Sequence, residues 1–173
     1  RDSTGICFIG ERDFKEFLQN YIPAKTGNII DVNTGDTLGQ HEGVLYYTIG
    51  QRKGLGIGGN LGPWFVVGKD VYKNELYVSN GDDSEWLFSD SCLVSGVNWF
   101  SDVKDGTKAQ AKFRYRQKDN AVTIFKKGDD VLVKFDNLIS SISPGQEAVF
   151  YDEDGIVLGG GVIEEAYVNN VAM

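Results

Sequence analysis

The sequence predicts a mainly β protein of two units, the second a small antiparallel barrel, and three observations lead there. Only one segment has helical periodicity: within Glu11–Tyr21, Phe14, Phe17, Leu18 and Tyr21 recur at i, i+3, i+4 and i+7 before Pro23 stops the run. The other apolar residues lie in short stretches rich in Val, Ile, Tyr and Phe. Turn chemistry cuts these stretches at Asn33-Thr34-Gly35, Lys73-Asn74, Lys127-Gly128-Asp129-Asp130 and Asp154-Gly155. Five or six such stretches crowd the second half, and short antiparallel strands of that spacing close their own edges as a barrel.

The elements follow in order. The single helix spans 11–21, and a strand is predicted at Glu75–Ser79. The most loop-like stretch, Gly81-Asp82-Asp83-Ser84, follows it and sets the expected boundary between residues 1–83 and 84–173. Beyond it, strands are expected at Cys92–Asn98, Lys108–Arg116, Ala121–Lys126, Val131–Phe135, Gln146–Tyr151 and Ile156–Ile163.

Bulk composition narrows the function. With 173 residues, 41% of them hydrophobic, the chain can build real cores. A formal charge of −8 excludes indiscriminate coating of nucleic acid, because an anionic body repels phosphate. Any RNA site must therefore be a local patch. Two cysteines and one histidine are too few and too scattered for structural zinc, so no metal is expected. No apolar run approaches the roughly 20 residues that span a bilayer, and no export signal opens the chain, so the cytoplasm is the expected compartment and no membrane partner is expected. The first residue is Arg1 rather than Met, which fits a piece of a longer protein.

Five segments could carry chemistry. Cys7 lies between Ile6 and Phe8 with Gly5 and Gly10 close by; locally a buried small hydrophobe is the favoured reading, and a thiolate near a turn is the alternative. Cys92, with no cation beside it, reads as core. Gly50–Gly59 holds five glycines but lacks the strand-loop-helix setting of a nucleotide loop. A tight connecting loop is favoured there, with Arg52 and Lys53 as candidates for an RNA or inter-domain contact. His41, in a polar stretch with no nucleophile nearby, is assigned no role.

The segment Lys108–Lys118 is the most informative. Read as one strand, it places Lys108, Gln110, Lys112, Arg114, Arg116 and Lys118 on a single face. It carries +5 and no carboxylate, so the rest of the chain carries −13 by subtraction from −8. A solvated outer face is the plain reading; a one-sign strand in an acidic protein favours a phosphate contact.

Several strings together resemble one family. Asp-Ser-Thr-Gly-Ile-Cys-Phe-Ile-Gly-Glu-Arg (2–12), Gly-Gln-His-Glu-Gly (39–43), Tyr-Thr-Ile-Gly-Gln-Arg-Lys-Gly-Leu-Gly-Ile-Gly-Gly (47–59), Pro-Trp-Phe-Val-Val (63–67), Arg-Tyr-Arg-Gln (114–117), Ser-Pro-Gly-Gln-Glu-Ala-Val-Phe-Tyr (143–151) and Leu-Gly-Gly-Gly (158–161) are similar to the tRNA-specific 2-thiouridylases of bacteria and mitochondria. The short link from Gly59 to Pro63 departs from the pattern at a surface connection.

The resemblance implies a fold and a chemistry. Residues 1–83 would form a small α/β-like connecting domain bearing the catalytic-cysteine loop and the one N-terminal helix. Residues 84–173 would form a six-stranded, tRNA-binding barrel resembling the second domain of elongation factors. The family's second cysteine falls on Cys7, which would take sulfur as a persulfide and deliver it to C2 of a wobble uridine activated by ATP. A first cysteine, absent from this chain, would help release the sulfur, and the resemblance allows a disulfide between the two. The tRNA contacts of the family fall on Arg114, Tyr115 and Gln146, with Arg116 beside them. ATP and Mg would be held by an N-terminal pyrophosphatase domain not present in this sequence, leaving these residues with no cofactor of their own and inactive alone. The implied partners are the anticodon region of tRNA, a sulfur-donor or relay protein and that N-terminal domain. Two other readings are a noncatalytic RNA-binding barrel and an exported β domain that binds glycan or protein.

Overall fold

A computed structural model describes residues 20–58, 62–169 and 171–172. The chain divides into two compact units, Arg1–Asp82 and Asp83–Met173. The predicted helix lies outside the described residues except for Asn20 and Tyr21, which sit in a turn. Among the described residues the first unit holds no α-helix, only a 3-10 turn at Val44–Tyr46.

Four strands make the first unit: β1 (Gly27–Asp31), β2 (Thr37–His41), β3 (Trp64–Asp70) and β4 (Glu75–Asn80). Their order is β2-β1-β4-β3. The hairpins β1–β2 and β3–β4 are antiparallel, while β1 and β4 run parallel with Ile29 beside Leu76. The predicted turn residues make both hairpins. Gly35 takes the left-handed φ of 77°, and the Asp31 carboxylate accepts from the Asn33 amide at 2.9 Å. Val66, Leu76, Val78 and Tyr47 join Ile29 in the core.

A buried polar pin fastens this sheet. The His41 ring, 1% exposed, has its Nε2 3.1 Å from the Asn74 carbonyl and accepts at Nδ1 from the Gly43 amide at 3.1 Å. Those partners require the tautomer with hydrogen on Nε2. Asn74, at φ 58°, donates from its side chain to the Lys25 and Thr26 carbonyls at 3.2 and 2.8 Å. Gly27 is needed because a Cβ there would lie 2.0 Å from the Asn74 carbonyl oxygen.

The second unit begins with a 3-10 turn at Glu85–Leu87. Seven strands follow: β5 (Phe88–Trp99), β6 (Thr107–Lys112), β7 (Asn120–Lys127), β8 (Asp130–Ser140), β9 (Glu147–Tyr151), β10 (Val157–Val168) and the short β11 (Val171–Ala172). Six of them close an antiparallel ring in the order β10-β5-β8-β7-β6-β9 and back to β10, as the sequence predicts. Inward positions alternate: Ala109 and Ala111 on β6, Val122 and Ile124 on β7, Val131 and Val133 on β8, Ala148 and Phe150 on β9. Phe150 stacks on Trp99 with ring centroids 5.7 Å apart.

Closure depends on Gly159, Gly160 and Gly161. A Cβ on them would meet the Asn98, Ala148 and Ser95 carbonyl oxygens at 2.6, 2.9 and 2.4 Å. Only a strand stripped of side chains at these points fits between β5 and β9.

One expectation is corrected. The strand predicted over Lys108–Arg116 ends at Lys112. The Phe113 amide leaves the ladder to donate to the Gln117 side chain at 2.9 Å, and Arg116 enters the left-handed region at φ 62°. The cationic face read over Lys108–Lys118 therefore keeps only Lys108, Gln110 and Lys112 on the strand.

Candidate nucleic-acid interface

The departure from β6 makes a compact turn over residues 113–117. Phe113 stays buried at 2% exposure and packs on Phe135 at 5.1 Å between ring centroids, anchoring the turn to the barrel interior. The Gln117 amide donates to the Arg114 carbonyl at 3.2 Å and closes it. Tyr115 is thrown outward at 85% exposure. The Arg116 guanidinium carbon lies 5.1 Å from the centre of the Tyr115 ring. Such an exposed pair is worth about 0.5–1 kcal/mol and holds a flat aromatic and a cation side by side in water.

Arg114 points elsewhere. Its Nη2 donates to the Ser141 carbonyl at 2.7 Å and lies 3.1 Å from the Ser143 hydroxyl. The Ser143 carbonyl accepts the Gln146 amide at 3.2 Å, and the Gln146 carbonyl accepts the Ile163 amide at 2.8 Å. Ser143 thus bonds both the Arg114 guanidinium and the backbone of Gln146, with Tyr115 and Arg116 on the turn that Arg114 leads into. The end of the strand removes the conflict that strict alternation creates between Arg114 and Tyr115. Sequence reading missed Ser141 and Ser143, which lie 27 and 29 residues from Arg114 and carry no local signal.

Arg52 and Lys53 are exposed on a loop of the first unit. Gln51 shapes this loop, accepting from the Thr48 amide at 3.1 Å and donating to the Lys53 carbonyl at 2.9 Å. The Gly50 amide and the Gln51 carbonyl bond to Val66 of β3 at 2.7 and 3.0 Å, and Leu55 is buried. Cys7 lies outside the described residues. Cys92 is fully buried in the barrel core, where burial pushes its thiol far up, so its sulfur stays protonated and inert. Among the described residues no group of three or more His, Cys, Asp or Glu side chains is placed to hold a metal. Among them no helix is long and apolar enough to cross a membrane.

Two family models match the chain. The tRNA methyl transferase PRC-barrel domain matches residues 15–80, and the aminomethyltransferase beta-barrel domain matches residues 89–163. Among the similar proteins is the tRNA-specific 2-thiouridylase MnmA of Mycoplasma capricolum, 51% identical over 95% of this chain and 46% of the relative. The protein of the same name from Bacillus cytotoxicus is 51% identical over 96% of this chain and 45% of its own. MnmA 2 of Geobacillus kaustophilus is 52% identical over 98% and 46%. The chain thus spans about half the length of the curated relatives it matches. With matching strings in order from one end to the other, and a closed six-stranded barrel presenting the Arg-Tyr-Arg-Gln turn, the chain belongs to the tRNA-specific 2-thiouridylase family.

Proposed function

We propose that this chain is the C-terminal part of an ATP-dependent tRNA-uridine 2-sulfurtransferase, in which the barrel docks tRNA and Cys7 handles sulfur. The observation that carries this reading is identity of 51–52% over at least 95% of the chain with proteins of that name. The exposed Tyr115–Arg116 pair supports the docking role: an aromatic face accepts a base by stacking, and the guanidinium beside it accepts phosphate. Arg114, held by Ser141 and Ser143, fixes the turn that presents this pair, and Gln146 is assigned to the same tRNA contact.

On this reading Cys7 carries the outer sulfur of a persulfide to C2 of the wobble uridine. The activated oxygen leaves C2 as that sulfur bonds to it, and a second thiol breaks the S–S bond by forming a disulfide with Cys7, which leaves the sulfur on the uridine. A sulfur-donor or relay protein must load the persulfide. Activation of the uridine by ATP belongs to another part of the enzyme. The described part of the glycine segment does not suit a nucleotide: the Gly50 and Gln51 backbone amides are already bonded to the Val66 and Thr48 carbonyls, and the segment leads to strand β3 rather than to a helix N-terminus. On this reading this chain alone is inactive. The reaction belongs to the cytoplasm, where tRNA is used.

In the full-length enzyme, Cys7→Ser abolishes 2-thiouridine formation while tRNA binding stays within about twofold, because a serine hydroxyl holds no persulfide. Nucleoside mass spectrometry and filter binding measure the two. Thiolation at a near-normal rate sinks the catalytic reading and leaves a noncatalytic RNA-binding barrel.

A further inference from the structure

The barrel carries positive charge that does not belong to the Tyr115 turn. On β6 the buried side chains are Ala109 and Ala111, so Lys108, Gln110 and Lys112 face outward. Strand register then adds what no single strand displays. Lys108 pairs with Thr123 of β7, and Thr123 pairs with Lys134 of β8. Directly opposed side chains in antiparallel strands have Cβ atoms about 5 Å apart, so two ammonium stems rise roughly 10 Å apart with a hydroxyl between them.

The surroundings suit a polyanion. Lys108 and Lys134 are exposed, and neither forms an ion pair among the described residues. Aromatic rings flank the row: Lys134 Nζ lies 5.7 Å from the centre of the Phe125 ring, and Lys112 Nζ lies 5.3 Å from that of Tyr151, which pairs in register with Gln110. Carboxylates border the row as well: Asp119, bound to Lys112 at 3.3 Å, the exposed Asp136 two residues beyond Lys134 on β8, Asp90 next to the Ser91 that pairs with Lys134, and Asp105, which accepts from the Lys126 backbone amide at 2.7 Å. In a chain of net charge −8, two unpaired lysines brought into line from different strands are a local exception to long-range repulsion of phosphate.

We propose that the Lys108–Thr123–Lys134 row binds the ribose-phosphate backbone of the tRNA substrate, as a contact separate from the Tyr115 turn; this rests on the 2-thiouridylase reading above. Lysine is a compact point charge without the planar fork that reads base edges, so the row contributes affinity and not sequence choice. Each phosphate it neutralises releases counterions, which makes the contact visible as salt dependence.

The test uses the full-length enzyme and an unmodified tRNA transcript, with binding followed by fluorescence anisotropy across a salt series. The double variant K108Q/K134Q lowers the slope of log affinity against log salt by about 1.5 units. It weakens binding of cognate and noncognate tRNA by the same factor and leaves the circular dichroism spectrum and melting temperature in place. T123V lowers affinity a fewfold without changing the slope. K73Q, which removes a lysine paired with Asp70 in the first unit, changes neither. An unchanged slope in K108Q/K134Q, alongside a reduced slope in R116A, rejects the row and leaves the tRNA reading standing. A wild-type enzyme that does not bind tRNA rejects both. If K108Q/K134Q loses binding to phosphatidylserine vesicles but keeps its tRNA slope, the row serves a lipid surface and the proposal is overturned.

Discussion

The two units solve the same problem, holding short strands together, by different means. In the first unit the described strands form a four-stranded sheet fastened by a buried polar pin of His41, Asn74 and the backbone of Lys25, Thr26 and Gly43. In the second, a closed ring is filled by Phe113, Phe150, Ile124 and Ile163, each 2% exposed or less. Hydrogen bonds are directional, so the pin dictates the identity of each member and tolerates little change. Apolar packing is set by volume and alternation. A barrel specified from inside leaves its outer positions free to carry charge, and there the lysine row and the Tyr115 turn are found.

Three changes test that contrast, in falling order of effect. Phe150→Ala empties the centre of the barrel and removes the Trp99 stack, costing the second unit about 3–5 kcal/mol in denaturant unfolding. The first unit's transition should hold its position; a joint shift would mean that the two units unfold as one. Gly27→Ala drives a methyl into the Asn74 carbonyl and is expected to cost the first unit about 1–3 kcal/mol, seen as a lowered melting transition with the barrel unaffected.

The smallest effect comes from acid. Burial holds the His41 pKa below its ordinary value of 6.5, the hydrogen bond to Asn74 opposing only in part. The folded unit therefore keeps the ring neutral where the unfolded chain takes up a proton. The contribution is complete above about pH 6.5 and falls as pH drops below it. His41 is the only histidine, so a loss of first-unit stability between about pH 7 and 5.5 reports on it. The barrel, with no histidine, should show no matching loss over that interval.

What could be read from the sequence follows the same divide. The barrel strands were legible because apolar residues recur at every second position and glycine-bearing turns separate them, as at Gly128 and Gly155. The end of β6 was not legible: a side chain four residues away, Gln117, takes the Phe113 amide from the ladder, and no periodicity records that competition. The tether of Arg114 to Ser141 and Ser143, and the alignment of Lys134 with Lys108, depend on register between distant strands. The parallel pairing of β1 with β4 and the burial of His41 were hidden for the same reason. The resemblance pointed to Arg114, Tyr115 and Gln146 and the run of cations to Arg116, and the backbone turn explains why the Tyr115 and Arg116 side chains project.

The ring closes on β10, the last of its six strands to leave the ribosome, which pairs with β5, the first. During vectorial synthesis the strands from β5 to β9 must wait as an open sheet whose two edges, on β5 and β9, are later covered by Val157–Val168. An uncovered edge is a template for pairing with other chains. Such long-range pairing is also slow, because the loop must close before its contacts repay the entropy. A nascent chain stalled short of β10 would accordingly be a client for chaperones, and translation speed through the codons of β10 sets how long that exposure lasts.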